Sequence, residues 1–236
     1  MLAVAVNYTD FKNPLQKLRQ KTAIEVLDAN KPDDCRLVAF SFPDEDVSGL
    51  PTAVLTHRTL TRDSSELIGN NRRLPYISQI LDKASIYCDR YFGFVNSDIL
   101  LTKEFFNVFD TEYDAYIFYR TEIAEVTTSQ FLKGDIQPIY GGDSHEGCDA
   151  FFFNKGFWLS NRTKFNRNLI VGETEWDTFY RYMIAANTDH YYVGRDLYHV
   201  YHDAKWDTKS KGAQNNAKIW EEFYDSVGKH IKVKEP

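Results

Sequence analysis

The 236-residue sequence is poor in the residues that support disulfide-rich or fibrous proteins, with only three cysteines, seven prolines and twelve glycines. Cys35, Cys88 and Cys148 are odd in number and form no Cys-x-x-Cys pair. This spacing predicts neither a disulfide framework nor a structural zinc site. We therefore expect three buried free thiols.

Long hydrophobic runs are also missing. The longest, residues 1–6 and 150–153, are far shorter than the roughly 20 apolar residues that cross a bilayer. The first residues carry no basic stretch and no small-residue cleavage site, so they resemble a buried strand more than a signal peptide. We expect a soluble, cytoplasmic protein with no membrane partner, and the sequence leaves its oligomeric state open.

A glycine-rich phosphate loop is absent, because neither G-x-G-x-x-G nor G-x-x-x-x-G-K-[ST] occurs. The formal net charge of −6 also lacks the basic excess of most nucleic-acid binders. Charge is nevertheless uneven: residues 110–149 hold nine acidic and two basic residues, whereas residues 205–234 hold seven lysines and four acids. Two interpretations stay open, solvated faces of opposite sign or a cation site beside a polyanion site.

Apolar residues make up 43% of the chain and aromatic residues 15%, enough for a substantial core. Their spacing predicts strands that alternate with helices, which favours one α/β domain with a mostly parallel central sheet flanked by helices, a Rossmann-like architecture. The predicted strands are 2–6, 36–42, 53–55, 91–95, 114–119, 150–153 and 191–193. The predicted helices are 14–30, 75–88, 176–187 and 217–227.

Asn96-Ser97-Asp98 follows the predicted buried strand 91–95. Ligands of α/β sheets collect at the carboxyl ends of strands, where a carboxylate can hold a divalent cation against a phosphate. Asn, Ser and Asp also form ordinary turns and helix caps. The tripeptide alone therefore leaves both interpretations open.

Residues 198–206 combine His199, His202 and Lys205 with flanking aromatic residues. Imidazole is a common metal ligand and lysine a common phosphate partner. On a helix the two histidines would share one face, whereas in an extended segment only one would point inward. The alternative is a packed aromatic segment with hydrogen-bonded histidines.

Asp149 and Asp177 lie at the edges of predicted elements, where a carboxylate could orient an acceptor hydroxyl or act as a general base. Carboxylates at such positions also cap helices, and Asp177 could be a first-turn residue that stabilises the helix dipole.

Taken in order, these segments resemble glycosyltransferases of the GT-A fold, whose D-x-D motif at a strand end holds Mn²⁺ or Mg²⁺ on a nucleotide-sugar diphosphate. Asn96-Ser97-Asp98 takes the place of that motif. His199, Lys205 and Trp206 resemble the H-x5-K-P-W segment of glycogenin-like and bacterial galactosyltransferase-like enzymes, without its proline. Arg73 lies where such enzymes contact the donor.

The resemblance implies roles for eleven residues of this sequence. Asp98 would be the principal metal-binding carboxylate, with His199 or His202 completing the metal shell. The donor-binding residues would be Asn7, Tyr8 and Asp10 for the nucleobase and ribose, Arg73 and Lys205 for the diphosphate, and Asn96 as a weak or water-mediated ligand. Asp149 would lie beside the reacting sugar, and Asp177 would position or deprotonate the acceptor. Residues 1–110 would form a nucleotide-sugar-binding half and residues 111–236 an acceptor-binding half.

The implied activity is metal-dependent transfer of a sugar from a nucleotide-diphosphate donor, commonly UDP, to a hydroxyl of a soluble acceptor. A glycan, a protein or a small molecule could be that acceptor, and a hydroxylated DNA base is possible but not favoured. Two alternatives stay open: a nucleotidyltransferase or metal-dependent phosphotransfer enzyme, and a non-catalytic nucleotide-sugar-binding protein. The resemblance does not decide between retention and inversion.

Overall fold

A computed structural model describes residues 1–58, 60, 73–110, 112–139, 147–194, 196–202 and 207–232. Its strands are β1 (Leu2–Asn7), β2 (Cys35–Phe40), β3 (Leu55–His57), β4 (Tyr91–Val95), β5 (Ile99–Leu101), β6 (Ala115–Tyr119), β7 (Thr121–Ile123), β8 (Cys148–Asn154), β9 (His190–Val193) and β10 (Leu197–Val200). Its α-helices are α1 (Pro14–Asn30), α2 (Ile77–Ala84), α3 (Thr128–Leu132), α4 (Lys155–Phe165), α5 (Trp176–Asn187) and α6 (Lys211–Ser226). Short 3₁₀ helices occur at Ser85–Tyr87, Glu104–Asp110 and Gly228–His230.

Seven strands form the large sheet, in the order β3-β2-β1-β4-β8-β6-β9. All of its neighbouring strands are parallel except the pairs that involve β8, which runs antiparallel to both β4 and β6. Helices flank this sheet, so the predicted α/β class with a mostly parallel sheet is confirmed. The antiparallel direction of β8 was not predicted.

Helix α1 has the bounds that the sequence predicts, because its start is encoded locally. Asn13 caps the helix, and its side chain accepts a hydrogen bond from the Leu15 backbone N–H at 2.9 Å. Pro14 follows at the first helical position, where its missing N–H costs nothing. Other predicted bounds are wrong by a few residues: α2 begins at Ile77 rather than 75, and α6 begins at Lys211 rather than 217.

A second sheet of three short strands, in the order β5-β10-β7, was not predicted. Strand β10 pairs antiparallel with β5 and parallel with β7. Each of these strands has only three or four residues, too few for a period-two pattern to emerge. Helix α4 was also missed.

Aromatic side chains fill the space between β8, the neighbouring strands and helices α4 and α5. Trp158 of α4 is fully buried, and its ring lies 5.7 Å from that of Phe92 and 4.9 Å from that of Phe153. Gly93 of β4 faces β8 so closely that a Cβ atom there would lie 2.3 Å from the Phe151 carbonyl oxygen. The three cysteines are buried and free, as predicted.

The ends of several strands meet at one edge of the large sheet. The carboxyl ends of the parallel strands β1, β4 and β6 meet there, together with the amino end of β8, since Val95 pairs with Ala150 and Tyr119 with Cys148. We call this the carboxyl edge. Within the described residues, none of the helices has the length and apolar character needed to span a bilayer.

Candidate functional site

The described strands pass from the large sheet to the small sheet three times at the carboxyl edge, from β4 to β5, from β6 to β7 and from β9 to β10. Residues 96–98 connect β4 to β5, and Arg120 alone connects β6 to β7. The first crossing is a tight turn in which the Ile99 N–H donates to the Asn96 carbonyl at 3.2 Å. This turn places Asp98 at the boundary between the two sheets.

Asp98, His199 and His202 come together at this boundary. The Oδ2 atom of Asp98 lies 3.4 Å from Nε2 of His199 and 3.6 Å from Nε2 of His202. One potential ligand atom from each residue lies within 4.8 Å of the others, the only such cluster among the described residues. We call these three residues the cation triad.

Both histidines therefore face Asp98, although the segment is extended. His199 lies within β10, whereas His202 follows the end of that strand at Val200. The expectation for an extended segment does not apply to this pair, because the strand ends between the two histidines; His199 is buried and His202 is partly exposed. The two imidazole rings lie 4.9 Å apart.

Glu122 of β7 fixes the orientation of His199. The Nδ1–H of His199 donates to Oε2 of Glu122 at 2.7 Å, which leaves Nε2 directed at Asp98. Both side chains are buried, with 8% of His199 and 5% of Glu122 exposed. A carboxylate that holds one imidazole nitrogen while the other faces a metal position is the usual support of metal-binding histidines.

The protonation of the triad follows from these contacts. Burial alone would lower the pKa of His199, but hydrogen bonds to Asp98 and Glu122 outweigh it and raise the pKa to about 10. Burial would raise the pKa of Asp98, but its hydrogen bonds with His199 and His202 hold it well below its usual range. Both shifts favour a protonated His199 imidazole paired with an ionised Asp98 carboxylate.

Arg120 connects this triad to a second carboxylate. Its Nε–H donates to Oε1 of Glu122 at 2.7 Å, and its Nη1–H donates to Oδ2 of Asp149 at 2.5 Å. The other oxygen of Asp149, Oδ1, accepts a short hydrogen bond from the Asn96 side-chain amide. Both oxygens of Asp149 therefore have partners.

Asp177 lies in the first turn of α5, also at the carboxyl edge. Glu175, two residues before Asp177, adopts a left-handed backbone conformation with φ of 69°, which is costly for a residue with a side chain. Burial and the nearby charge of Asp149 raise the pKa of Asp177 to about 6. A carboxyl group with such a pKa can exchange a proton near neutral pH.

Three other predicted residues lie at the end of β1 or just after it, and a fourth, Arg73, lies before α2 and contacts the segment after β2. Asn7 ends β1, the buried Tyr8 donates its hydroxyl to the Asp46 carbonyl at 3.0 Å, and Asp10 pairs with Lys17 at 2.8 Å. Arg73 pairs with Asp44 at 2.5 Å and covers the ring of Phe42. In the described part of the chain, no hydrogen bond or ion pair joins these four residues to the cation triad.

Lys205 and Trp206, which carry the predicted H-x5-K-W segment, lie outside the described residues. Arg120 and Glu122 were missed by the sequence analysis. Their spacing is the signal that could have found them. Arg120 and Glu122 are separated by one residue just after the strand 115–119, and in an extended chain residues with this spacing lie on the same face.

No protein-family model and no curated protein matches this sequence. Solved structures do match. The chain superimposes on S. aureus TarS with a TM-score of 0.51 and 9% identity, covering 97% of this chain and 44% of that one. For TarS residues 1–349 in complex with UDP-GlcNAc, the TM-score is 0.50, the identity 10%, and the coverage 86% and 59%. This chain thus spans about half the length of these neighbours.

A candidate nucleotide-diphospho-sugar transferase from Desulfovibrio desulfuricans G20 matches over the full length, with a TM-score of 0.50, 12% identity and 99% coverage of both chains. The chain has the GT-A-like fold of nucleotide-diphospho-sugar transferases. The fold expected from the resemblance is thereby confirmed. In this fold the cation triad lies at the carboxyl edge of the central sheet, where α/β proteins bind their ligands.

Proposed function

We propose that this protein is a cation-dependent glycosyltransferase that moves a sugar from a nucleotide-diphosphate donor to an acceptor hydroxyl. The observation that carries the proposal is the cation triad, one carboxylate and two imidazoles directed at one point at the carboxyl edge. The fold shared with nucleotide-diphospho-sugar transferases supports the donor class. Because one TarS structure contains UDP-GlcNAc, UDP-sugars are the first donors to test.

The donor atoms of the triad fit a divalent cation and favour Mn²⁺ over Mg²⁺. Imidazole nitrogen suits the transition metals, whereas Mg²⁺ prefers oxygen ligands alone. Asp98, His199 and His202 would hold the cation on three sides and leave its remaining positions to the diphosphate. Bound there, the cation would neutralise the charge that develops on the departing nucleoside diphosphate.

The two carboxylates at the edge would have different roles. Asp149 already accepts hydrogen bonds on both oxygens, so we assign it to holding the shape of the sugar site. Asp177 has the raised pKa of a proton acceptor, so we assign it to deprotonating the acceptor hydroxyl. Retention or inversion at the sugar carbon stays a question for product analysis.

The proposed donor contacts outside the triad come from the end of β1 and from separate positions elsewhere in the chain. Asn7, Tyr8 and Asp10 follow or end β1, which supports their proposed place beside the nucleobase and ribose. Arg73 and Lys205 remain the proposed partners of the diphosphate, and Asn96 a weak ligand. The division into a donor half, residues 1–110, and an acceptor half, residues 111–236, also remains a proposal.

The test is turnover of a panel of nucleotide sugars with Mn²⁺, Mg²⁺ or Fe²⁺, or with no metal, in the presence of candidate acceptors. We expect Mn²⁺-dependent release of the nucleoside diphosphate, and we expect Asp98→Ala and His199→Ala to abolish it. Asp110→Ala and His230→Ala, which alter the same residue types at exposed positions, serve as controls and should retain activity.

The product separates the alternatives. Release of pyrophosphate from a sugar phosphate and a nucleoside triphosphate would indicate a nucleotidyltransferase instead. Donor binding without any release, with every metal and acceptor, would indicate a binding protein. Absence of both binding and release would contradict the proposed function.

A further inference from the structure

Arg120 is the single residue that connects β6 of the large sheet to β7 of the small sheet. Its side chain is 17% exposed. Two buried carboxylates, Glu122 and Asp149, hold its guanidinium from two directions. A buried arginine that forks between two carboxylates uses the planar geometry that lysine lacks.

One arm of this fork reaches the cation triad. Arg120 Nε–H donates to Oε1 of Glu122, and Oε2 of the same carboxylate accepts from Nδ1 of His199, both at 2.7 Å. Each oxygen of Glu122 therefore has one strong partner. Removal of Arg120 would leave Oε1 of Glu122 without this partner, and Glu122 would be held by its contact with His199 and less firmly by the rest of the site.

The other arm reaches the carboxylate assigned to the sugar site. Arg120 Nη1–H donates to Oδ2 of Asp149 at 2.5 Å, and the Asn96 amide donates to Oδ1. Asn96 lies two residues before Asp98, in the same turn. Side-chain contacts therefore run from Asp98 through His199, Glu122, Arg120 and Asp149 to Asn96, and the backbone of the turn joins Asn96 to Asp98 and closes the circuit.

We propose that Arg120 is a positioning residue that holds the cation-binding histidine and the Asp149 carboxylate in one rigid frame, so that the loss of Arg120 weakens cation binding and slows sugar transfer. This inference rests on the proposed function. Arg120 itself contacts neither cation nor substrate in this account and acts through Glu122 and Asp149. Partners of this kind cost about 10- to 100-fold in metal affinity or activity when removed.

The contact between Arg120 and Glu122 is tested by titrating the protein with Mn²⁺ in the absence of nucleotide. The electron paramagnetic resonance signal of free Mn²⁺ reports how much Mn²⁺ is bound. We expect Arg120→Met and Glu122→Gln each to raise the Mn²⁺ dissociation constant about 10- to 100-fold. The matched control is Arg19→Met, since Arg19 is equally buried at 13% exposure and pairs with Glu125 away from the triad. Arg19→Met should bind Mn²⁺ like the wild-type protein.

The second arm is tested by kcat at saturating Mn²⁺ and donor. Here Arg120→Met should remain about 10-fold or more below wild type, because excess cation cannot restore the position of Asp149. Asp149→Asn should lower kcat without changing the dissociation constant of Mn²⁺. Thermal unfolding of every variant reports whether it is folded, and Arg120→Lys carries the same test if Arg120→Met does not fold.

The outcomes separate this inference from the proposed function. A wild-type protein that binds no Mn²⁺ overturns both. A wild-type protein that binds Mn²⁺ while a folded Arg120 variant binds it equally well overturns the positioning role alone. Full recovery of kcat by the Arg120 variant at saturating Mn²⁺ also overturns the positioning role, because the contact between Arg120 and Asp149 would then have no effect on the rate.

Discussion

The two sheets of this protein differ in what they bury. The large sheet buries apolar and aromatic side chains, with β4, β6 and most of β8 shielded from solvent. The small sheet, although only three short strands, buries Glu122 and His199. Buried charge is tolerated only where it is paired and hydrogen-bonded. The large sheet therefore supplies most of the aromatic core together with the buried Asp149, and the small sheet supplies the buried pair Glu122 and His199.

The carboxyl edge is where the two contributions meet. Asp98 and Arg120 lie on two of the three connections that lead from the large sheet to the small sheet, and Asp149 and Asp177 come from elements of the large-sheet layer. The site therefore depends on the relative position of the sheets, which the hydrogen-bonded circuit through Arg120 fixes. Substitutions in the two sheets should separate stability from chemistry.

The largest effect on stability should come from the aromatic core between the large sheet and helix α4. Trp158→Ala removes a fully buried ring that packs on Phe92 and Phe153, and we expect it to lower the free energy of unfolding by about 3–5 kcal/mol. Urea unfolding measures the loss. Leu159→Ala, at a half-exposed position of the same helix, should cost far less. A Trp158→Ala protein that is folded yet binds Mn²⁺ differently would break the division between the sheets.

The next effect concerns the rate. Asp177→Asn should lower kcat about 100-fold or more, because the acceptor hydroxyl loses its base. In the wild-type protein kcat should rise with pH to a plateau above about 6, the pKa of Asp177, since the base must be ionised. The variant should lack this rise. Equal pH profiles for Asp177→Asn and the wild-type protein would refute the assignment, and Asp110→Asn serves as the control.

The same substitution should have an opposite and smaller effect on stability. The pKa of Asp177 is raised to about 6, against about 3.9 in an unfolded chain. Between these values the folded state holds a proton that the unfolded state has released, so this group makes the protein less stable as the pH rises. Above pH 7, Asp177→Asn should be about 1–2 kcal/mol more stable than wild type, after allowance for partial solvent exposure, with no gain at pH 4. Chemical denaturation at the two pH values measures the difference.

The smallest effect on activity and stability is expected at a cleft at the edge of the large sheet opposite the carboxyl edge. This cleft of about 680 Å³ is lined by Arg90, Lys103 and Asp110 among others, at the amino ends of β1 and β4. It is roomy, but Arg90 is exposed and pairs with the exposed Glu112. Arg90→Ala should therefore change kcat by less than about twofold and stability by no more than about 0.5 kcal/mol. A larger loss of activity would show that the chemistry is not confined to the carboxyl edge.

The sequence predicts the large sheet well because each central strand is a continuous apolar run. Tyr91–Val95 and Trp176–Asn187 have the predicted bounds, since burial and helical periodicity are local signals. The small sheet escapes prediction because strands of three residues are held by tertiary pairing and not by pattern.

The candidate site was predicted in part for the same reason. Asp98 was recognisable from its place after a buried strand, and the histidines from their clustering. The spacing of Arg120 and Glu122 could indicate a shared face but not a role, because their roles come from contacts with His199, 77 residues away from Glu122 in the chain, and with Asp149. Only the fold brings these residues together.

The central claim is that Asp98, His199 and His202 hold the cation that meets the donor diphosphate. The most direct test is a crystal structure of the protein with Mn²⁺ and UDP, with anomalous scattering measured to locate manganese. We expect one strong anomalous peak bounded by the Asp98 carboxylate and the Nε2 atoms of both histidines, in contact with the diphosphate. A diphosphate bound with manganese elsewhere, or with no manganese at the triad, would contradict it.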